Sequence, residues 1–359
     1  MSLSIARNFV GVHRANTQRC TSRRVVVPRA GATGPDYSMV QRNIALDLVR
    51  VTEAAALSGA RWLGKGDKNA ADDGAVNMMR KVLNSVEIDG TVVIGEGEKD
   101  AAPMLYRGEQ VGSKHCPQKV DIAVDPLDGT TLVAHGKNGA VSVIALSEKG
   151  TLFDPRSAFY MEKLAVGPDV PPQMVSLDYS VERNLRIVAA YRRKPLEELT
   201  VVILDRDRHS ELIAECRRLG VRIRLISDGD VAAAIDVANP DPAVDIMLGV
   251  GGSPEGVIAA CALKIMGGSI QTRLWAKDAA QREKLVSEGY DMDRIMHTND
   301  LCCGDDVFFA LTGVTDGNLV KGVRFVSGGA ITTSLVMRSR SGTVRHIETH
   351  HKWNDYNRV

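Results

Sequence analysis

The stretch that decides the fold is VDIAVDPLDGTTLVAHG, residues 120–136. Its first five residues form a mostly apolar run that is typical of a buried strand. The run meets Asp125 and Pro126, and Asp128, Gly129 and two threonines follow. Such a turn is either an ordinary strand-to-helix connection or a place where carboxylates hold a metal ion beside a phosphate. On its own, this stretch leaves both interpretations open.

The composition allows an enzyme and argues against two classes of partner. The chain has 359 residues, 44% of them hydrophobic, which is enough for one large or two medium domains. Its 45 basic and 44 acidic residues leave a formal charge of +1, so no global basic field favours nucleic acid. No run of about 18 apolar residues predicts a membrane-spanning helix. We therefore expect no nucleic-acid or membrane partner.

The first 35 residues differ in composition from the rest. They contain arginines and several hydroxyl residues, but neither lysine nor any acid. This composition is expected of an organellar transit peptide, and a disordered basic tail is the alternative. We interpret residues 1–35 as a transit peptide, whose composition does not separate the plastid from the mitochondrion.

Hydrophobic periodicity divides the remainder into two halves. Two stretches with helical spacing come first, and three strands are predicted after them, at TVVI, VDIAV and AVSVIAL. From Thr200 onward, strands and helices alternate as in α/β proteins. We therefore predict a boundary near residue 195, between a first half in residues 36–195 and an α/β half in residues 196–359.

Acidic residues collect at strand ends and in glycine-rich turns. Four clusters have this form: GDKNAADDG with Asp72, GEGEKD with Glu96 and Glu98, DPLDG with Asp125 and Asp128, and GVGGSPEG with Glu255. Mg²⁺ and Mn²⁺ need several oxygen ligands, which phosphate-handling sites supply from carboxylates and substrate. Each cluster also has an ordinary interpretation, such as a helix cap at Asp72 or a favourable helix-dipole contact at Glu255.

The glycine run in GVGGSPEG does not indicate a nucleotide cofactor. Its spacing fails the dinucleotide fingerprint GxGxxG because position 254 is proline, and no Walker A sequence occurs. The order of the acidic clusters is more informative, since three of them lie within about sixty residues.

That order resembles the lithium-sensitive, metal-dependent sugar phosphatase superfamily. The resemblance is carried by Asp72, by GEGE at residues 95–98 and by DPLDGTT at residues 125–131. Longer stretches, among them RVTEAAALSGARWLGKGDKNAADDGAVNMMR, YMEKLAVGP, ISDGDVAA and GVGGSPEGVIAA, narrow it to the class II fructose-1,6-bisphosphatases. Within these, the chain is most similar to the photosynthetic dual fructose-1,6-/sedoheptulose-1,7-bisphosphatases. The resemblance covers residues 40–345.

The resemblance implies a mixed α/β fold, a layered α-β-α-β-α sandwich, and a site that contains Mn²⁺ or Mg²⁺. It makes residues 36–195 the metal-binding phosphatase half and residues 196–359 the substrate-clamp half. It implies one metal position at Asp72 and Glu96, and another at Asp125, Asp128 and Glu255. The implied catalytic residues are Thr130, Asp128 and Glu96. The implied substrate contacts are Asp128, Gly129, Thr130, Tyr160, Arg206, Asp207, Arg208, Asp228, Gly229, Asp230 and Gly252.

Two positions depart from the family pattern. Many members carry glutamate where this chain has Asp128. Because the aspartate side chain is shorter than that of glutamate, direct contact between Asp128 and the metal stays open. In DRDRH, Asp207 lies between Arg206 and Arg208, so an acid interrupts the basic clamp.

The implied function is metal-dependent hydrolysis of the 1-phosphate of fructose 1,6-bisphosphate, and of sedoheptulose 1,7-bisphosphate, in the Calvin cycle or gluconeogenesis. The resemblance also suggests a homo-oligomer, specifically a tetramer. Because the dual-activity relatives belong to photosynthetic carbon fixation, it favours the chloroplast stroma, with the mitochondrion or the cytoplasm as alternatives. The alternatives are an inositol-phosphate-type phosphatase and a catalytically inactive sugar-phosphate sensor. GEGEKDAAPMLY and SDGDVAA disfavour the first, and the complete set of acids disfavours the second.

Overall fold

The computed structural model describes residues 43–96, 104–113 and 118–353. The predicted transit peptide, residues 1–35, and Glu98 lie outside these ranges. Among the described helices, none is both long enough and apolar enough to cross a membrane.

Helices and strands alternate irregularly along the described chain. The helices are α1 (Ala45–Ala60), α2 (Lys68–Leu83), α3 (Thr130–Ala134), α4 (Val181–Arg192), α5 (Ser210–Arg218), α6 (Val231–Asp236), α7 (Ser253–Met266), α8 (Ala279–Ser287) and α9 (Thr298–Leu301). The strands are β1 (Asp89–Ile94), β2 (Gln110–Val111), β3 (Lys119–Asp128), β4 (Val141–Glu148), β5 (Tyr160–Val166), β6 (Thr200–Leu204), β7 (Arg222–Ile226), β8 (Ile246–Gly252), β9 (Ser269–Trp275), β10 (Met296–His297), β11 (Phe308–Gly313), β12 (Arg324–Val326), β13 (Gly329–Arg338) and β14 (Thr343–Lys352).

Two mixed sheets form the framework. In the described part of the chain, the first sheet has eight strands in the order β12-β13-β11-β4-β3-β1-β2, with β14 paired along β13. The second has six strands in the order β10-β9-β5-β8-β6-β7. The pairs β1/β3, β6/β7 and β6/β8 are parallel, and the other strand pairs are antiparallel.

Helices cover both outer faces and fill the space between the sheets. Helices α1 and α2 pack on the outer face of the first sheet, and α4 and α5 pack on the outer face of the second. Helices α6 and α7 lie between the sheets. The order of layers is therefore α-β-α-β-α, and the predicted layered sandwich is confirmed.

Burial on both faces explains the near-continuous apolar run in β4. Val143 and Ala145 belong to the core between the sheets, whereas Ile144 and Leu146 pack in the core beneath α1 and α2. Successive strand residues point to opposite faces, so a strand covered on both sides needs apolar residues at every position. Helix α7 is enclosed for the same reason, and its residues 256–263 are all buried.

The chain passes between the two sheets more than once. Strand β5 already belongs to the second sheet, and strands β11 to β14 return to the first. The division into residues 36–195 and 196–359 remains a prediction about the organisation of the chain.

Candidate active site

The five predicted metal-binding acids lie on four elements that approach one another. Asp125 and Asp128 are at the end of β3, Glu96 follows β1, and Glu255 is in the first turn of α7. Asp72 lies inside α2, which begins at Lys68. Burial raises the pKa of Asp125, and the negative charges of Asp128, Glu96, Glu255 and Asp72 all raise it further, so the structure brings the five carboxyl groups into one neighbourhood.

The helix-cap interpretation of Asp72 is wrong. The cap of α2 is Asp67, whose Oδ1 accepts a hydrogen bond from the Ala70 N–H at 2.9 Å. Asp72 is therefore free of the capping role that this residue type often has at a helix start.

Strand β3 continues beyond Asp125, where it was predicted to end. Asp125 pairs with Val143 and Asp128 pairs with Val141, so the intervening residues form a bulge against β4. Bulges redirect side chains at strand ends and are common beside functional sites. The Leu127 N–H donates to Asp125 Oδ1 at 3.1 Å, which holds this carboxylate in place.

Two glycines of the site have separate physical reasons, a close backbone approach at Gly95 and a left-handed conformation at Gly129. A Cβ at Gly95 would lie 2.0 Å from the Leu105 carbonyl oxygen, so only glycine allows the chain to turn into Glu96. Gly129 has φ 101°, in the left-handed region that favours glycine, and it connects β3 to Thr130.

Burial and mutual repulsion raise the pKa of every acid in the cluster. Burial, then Asp73, raises the pKa of Asp72 to about 6. Burial, then Asp72 and Glu255, raises the pKa of Glu96 to about 8. The pKa values of Asp125, Asp128 and Glu255 are also raised, chiefly by burial. Burial and nearby like charges disfavour ionised carboxylates, so this arrangement favours a bound cation.

The donor set of the cluster consists of carboxylate oxygens. Glu255 Oε2 is buried and has no hydrogen-bond partner, which is costly for a carboxylate unless a cation or donor approaches it. Among the described residues, no three His, Cys, Asp or Glu side chains are already gathered as a metal-coordinating group. The charge effects on their pKa values show that the acids are close enough to repel one another, and carboxylate oxygens are the ligands that a hard divalent ion prefers.

The loop between β7 and α6 brings the predicted sugar contacts to the cluster. Asp128 Oδ2 accepts from the Val231 N–H at 3.2 Å, and Asp228 Oδ2 accepts from the Thr131 N–H at 3.3 Å. A Cβ at Gly229, which has φ 67°, would lie 3.1 Å from Asp128 Oδ1. The loop therefore packs directly on the strand end that contains Asp128.

The two predicted clamp arginines bond to other elements of the site, and Asp207 is exposed. Arg206 Nη1 donates to the Ser227 carbonyl, and Arg206 Nη2 contacts Asp228 Oδ1 at 3.3 Å. Asp207 lies between the arginines in sequence, but they find their partners on the β7–α6 loop and on β8.

Arg208 connects the clamp to the remaining substrate candidates. Its Nε and Nη2 donate to the Val250 carbonyl at 3.1 and 2.8 Å, and its guanidinium lies 5.2 Å from the Tyr160 ring centroid. Tyr160 is opposite Gly252 in the β5/β8 register and packs edge-on against Trp275. Tyr160, Arg208 and Gly252 thus share one side of the site.

Sequence reasoning missed two buried groups, His209 and Lys163. The Val250 N–H donates to His209 Nε2 at 2.7 Å, which requires the Nδ1–H tautomer, and that N–H donates to the Leu204 carbonyl, also at 2.7 Å. His209 therefore fastens the clamp segment to β8, and burial lowers its pKa. Lys163 is in ion-pair contact with Asp230 at 2.7 Å. The available signal for Lys163 was a lysine that directly precedes the apolar run LAV in the strand YMEKLAV.

A cavity of about 470 Å³ adjoins the site beside Asp228 and Gly229. Its walls also include Lys137, Arg224 and Lys321, and none of the five clustered acids. The cavity therefore borders the predicted sugar-binding side of the site rather than the acidic side.

Comparison with known proteins identifies relatives over most of the chain. The family model for bacterial fructose-1,6-bisphosphatase, glpX-encoded, matches residues 42–351. A protein from Synechocystis sp., named D-fructose 1,6-bisphosphatase class 2/sedoheptulose 1,7-bisphosphatase, is 43% identical over 86% of this chain and 96% of its own. A protein of the same name from Trichodesmium erythraeum is 43% identical over 87% and 97%, respectively.

One solved structure aligns only partially with this chain. It is the extragenic suppressor protein suhB from Bartonella henselae, which is 16% identical, covers 55% of this chain and 74% of its own, and gives a TM-score of 0.30. A score this low supports no argument about fold or function.

The chloroplast prediction is wrong. A third relative of the same name is from Crocosphaera subtropica, so the similar proteins named here are all cyanobacterial, which favours a bacterial protein over one imported into a plastid. The transit-peptide interpretation lacks support for the same reason. Arginine and hydroxyl content is not specific to import signals, because basic tails share it.

The family model covers most of this chain, and the 43% identity to the Synechocystis protein extends over nearly the whole length of that relative. The chain belongs to the family of bacterial glpX-encoded, class II fructose-1,6-bisphosphatases.

Proposed function

We propose that this protein hydrolyses the 1-phosphate of fructose 1,6-bisphosphate, and of sedoheptulose 1,7-bisphosphate, with the help of Mn²⁺ or Mg²⁺. The observation that carries this proposal is that five carboxyl groups of raised pKa converge from α2, from the ends of β1 and β3, and from the first turn of α7. The names of the cyanobacterial relatives support the choice of substrates.

The carboxylates suit a divalent ion, and the family resemblance divides them into two positions. Asp72 and Glu96 would hold one ion, and Asp125, Asp128 and Glu255 the other. Glu255 Oε2, buried without a partner, fits this role. A bound divalent ion supplies charge neutralisation and Lewis acidity for phosphoryl transfer.

The residues after β3 would meet the reacting phosphate. Thr130 is half-buried at the start of α3 and follows the left-handed Gly129. We propose that the Thr130 hydroxyl orients the attacking water, and that a neighbouring carboxylate, Asp128 or Glu96, accepts its proton. The Asp128 carboxylate accepts a hydrogen bond from the Val231 N–H, which fixes the position of this side chain.

The second phosphate and the sugar would lie on the opposite side. The basic and aromatic side that suits a distal phosphate consists of Arg206, Arg208 and Tyr160. A guanidinium group can donate two parallel hydrogen bonds to two oxygens of one phosphate. Asp228 and Asp230 would accept hydrogen bonds from sugar hydroxyls. Further proposed substrate contacts are Asp207, Gly229 and Gly252.

Assembly into a homo-oligomer, specifically a tetramer, is also part of this proposal.

Phosphate release from purified protein tests the activity. We expect release from both bisphosphates in Mn²⁺ or Mg²⁺, little release in chelator and little from inositol 1-phosphate. Glu96→Gln should lower turnover by orders of magnitude, because it removes a proposed metal charge without changing side-chain shape. Glu211→Gln on the exposed surface of α5 is the matched control and should leave turnover unchanged. Faster release from inositol 1-phosphate favours the first alternative, and binding of the bisphosphates without release favours the sensor.

Substitution of Arg208 tests the proposed distal clamp. We expect Arg208→Ala to raise KM for both bisphosphates by about tenfold or more, because a charge-assisted contact far from the reacting bond is lost. A sugar monophosphate without the distal group should show nearly the same KM with parent and variant. The exposed Arg218→Ala serves as control, since Arg218 bonds to Glu215 on its own helix. Equal losses for monophosphate and bisphosphate contradict the clamp assignment.

The stability of the metal-free protein tests the electrostatic account. The pKa of Glu96 rises from 4.5 to about 8 on folding, so the folded state holds a proton that the unfolded chain has lost in this window. Stability therefore falls as pH rises from about 4.5 to about 8. Glu96→Gln removes this contribution, and the variant should lose less stability than the parent across the window. Urea unfolding in chelator at several pH values measures the difference, and a steeper loss in the variant contradicts the account.

A further inference from the structure

Lys163 is a buried cation in the middle of the second sheet. It lies in β5, its side chain is 1% exposed, and its Nζ donates to Asp230 Oδ2 at 2.7 Å. Asp230 is itself only 4% exposed. Burying two charges is costly unless they pair with good geometry, so this ion pair fixes both side chains.

The glycines around β8 and α7 make room for this pair. A Cβ at Gly251 would lie 1.9 Å from Asp230 Oδ2 and 2.9 Å from Lys163 Nζ. A Cβ at Gly256 would lie 3.4 Å from Lys163 Cε, and one at Gly252 would lie 1.9 Å from Glu255 Oε2. The glycine run that fails the dinucleotide fingerprint therefore has another physical reason: it accommodates an ion pair and a carboxylate.

The ion pair also belongs to the electrostatics of the acidic cluster. Burial is the largest cause of the raised pKa of Asp128, and the negative charge of Asp230 is the second largest. Lys163 acts in the opposite direction on Glu255 and lowers its pKa against the effect of burial. The Asp230 carboxylate is thus surrounded by negative groups on one side and held by Lys163 on the other.

We propose that Lys163 is a positioning residue that holds the Asp230 carboxylate in place to accept a hydrogen bond from a substrate hydroxyl. The inference rests on the proposed function, in which Asp230 is a sugar contact. Without the Lys163 ammonium, nearby negative charge repels Asp230 from its position. Lys163 acts through Asp230 and does not itself touch the substrate.

Substitutions at both ends of the pair test this inference. We expect Lys163→Met to raise KM for fructose 1,6-bisphosphate about tenfold, because the acceptor is no longer held, with a smaller change in kcat. Asp230→Asn should raise KM similarly. The double variant should match Asp230→Asn alone, because both changes remove the same contact and their effects do not multiply.

Lys194→Met is the matched control. Lys194 Nζ contacts Asp245 Oδ1 at 2.7 Å, and Asp245 is 1% exposed, so this change also leaves a buried aspartate without its lysine. The control should lose stability, measured by thermal unfolding, without a change in KM. If Lys163→Met does not fold, Lys163→Gln replaces it, and KM should again rise because the fixed charge is lost.

The outcomes separate the two levels of the proposal. An unchanged KM in Asp230→Asn overturns the sugar contact and the role of Lys163 together. A raised KM in Asp230→Asn with an unchanged KM in the Lys163 variant overturns only the positioning role. Effects that multiply in the double variant also overturn it, since two independent contacts would then be involved.

Discussion

Repulsion among buried carboxylates is the constraint on which the rest of this structure depends. Asp125, Asp128 and Glu255 come from two elements, and burial raises the pKa of each. A fold accepts such an arrangement only where rigid elements hold the groups in place, since repulsion and desolvation both oppose it. The end of β3 and the enclosed helix α7 provide that rigidity.

The features around the cluster follow from this constraint. The bulge in β3 separates Asp125 from Asp128, and Gly95 lets the chain turn into Glu96. On the far side, Lys163 supplies a positive charge, and Arg206 and Arg208 bond to the loop and strand that border the site. Negative charge thus collects where a cation would bind, and positive charge where an anionic substrate end would lie.

The acids at strand ends and at a helix start follow local sequence patterns, whereas Asp72, expected in a glycine-rich turn, lies inside α2. A strand that ends in DPLDG and a helix that begins with SPEG can be read from neighbouring residues alone. The alternation from Thr200 to Met266 was also confirmed, from β6 through α7. The layered sandwich was predicted from the family resemblance, and the packing of α7 between the sheets confirms it.

What the sequence did not predict depends on partners far away in the chain. The placement of β5 in the second sheet depends on pairing with β8 and β9, about ninety residues and more beyond it. The burial of Lys163 depends on Asp230, and the tautomer of His209 depends on Val250. Local composition misleads at such positions, because lysine and histidine in isolation are more often exposed than fully buried. The plastid prediction, which came from the family resemblance and not from the composition of residues 1–35, was wrong because the similar proteins are cyanobacterial.

Calorimetric titration of the metal-free protein with Mn²⁺ tests the central claim most directly. Carboxylates must lose their protons to bind a metal ion, so at about pH 7 binding should release protons, in part from Glu96, whose pKa is about 8. Comparing the heat in two buffers of different ionisation enthalpy measures that release. The account predicts a net release that decreases in Glu96→Gln. Binding of Mn²⁺ without proton release, or a release that is unchanged in the variant, would contradict it.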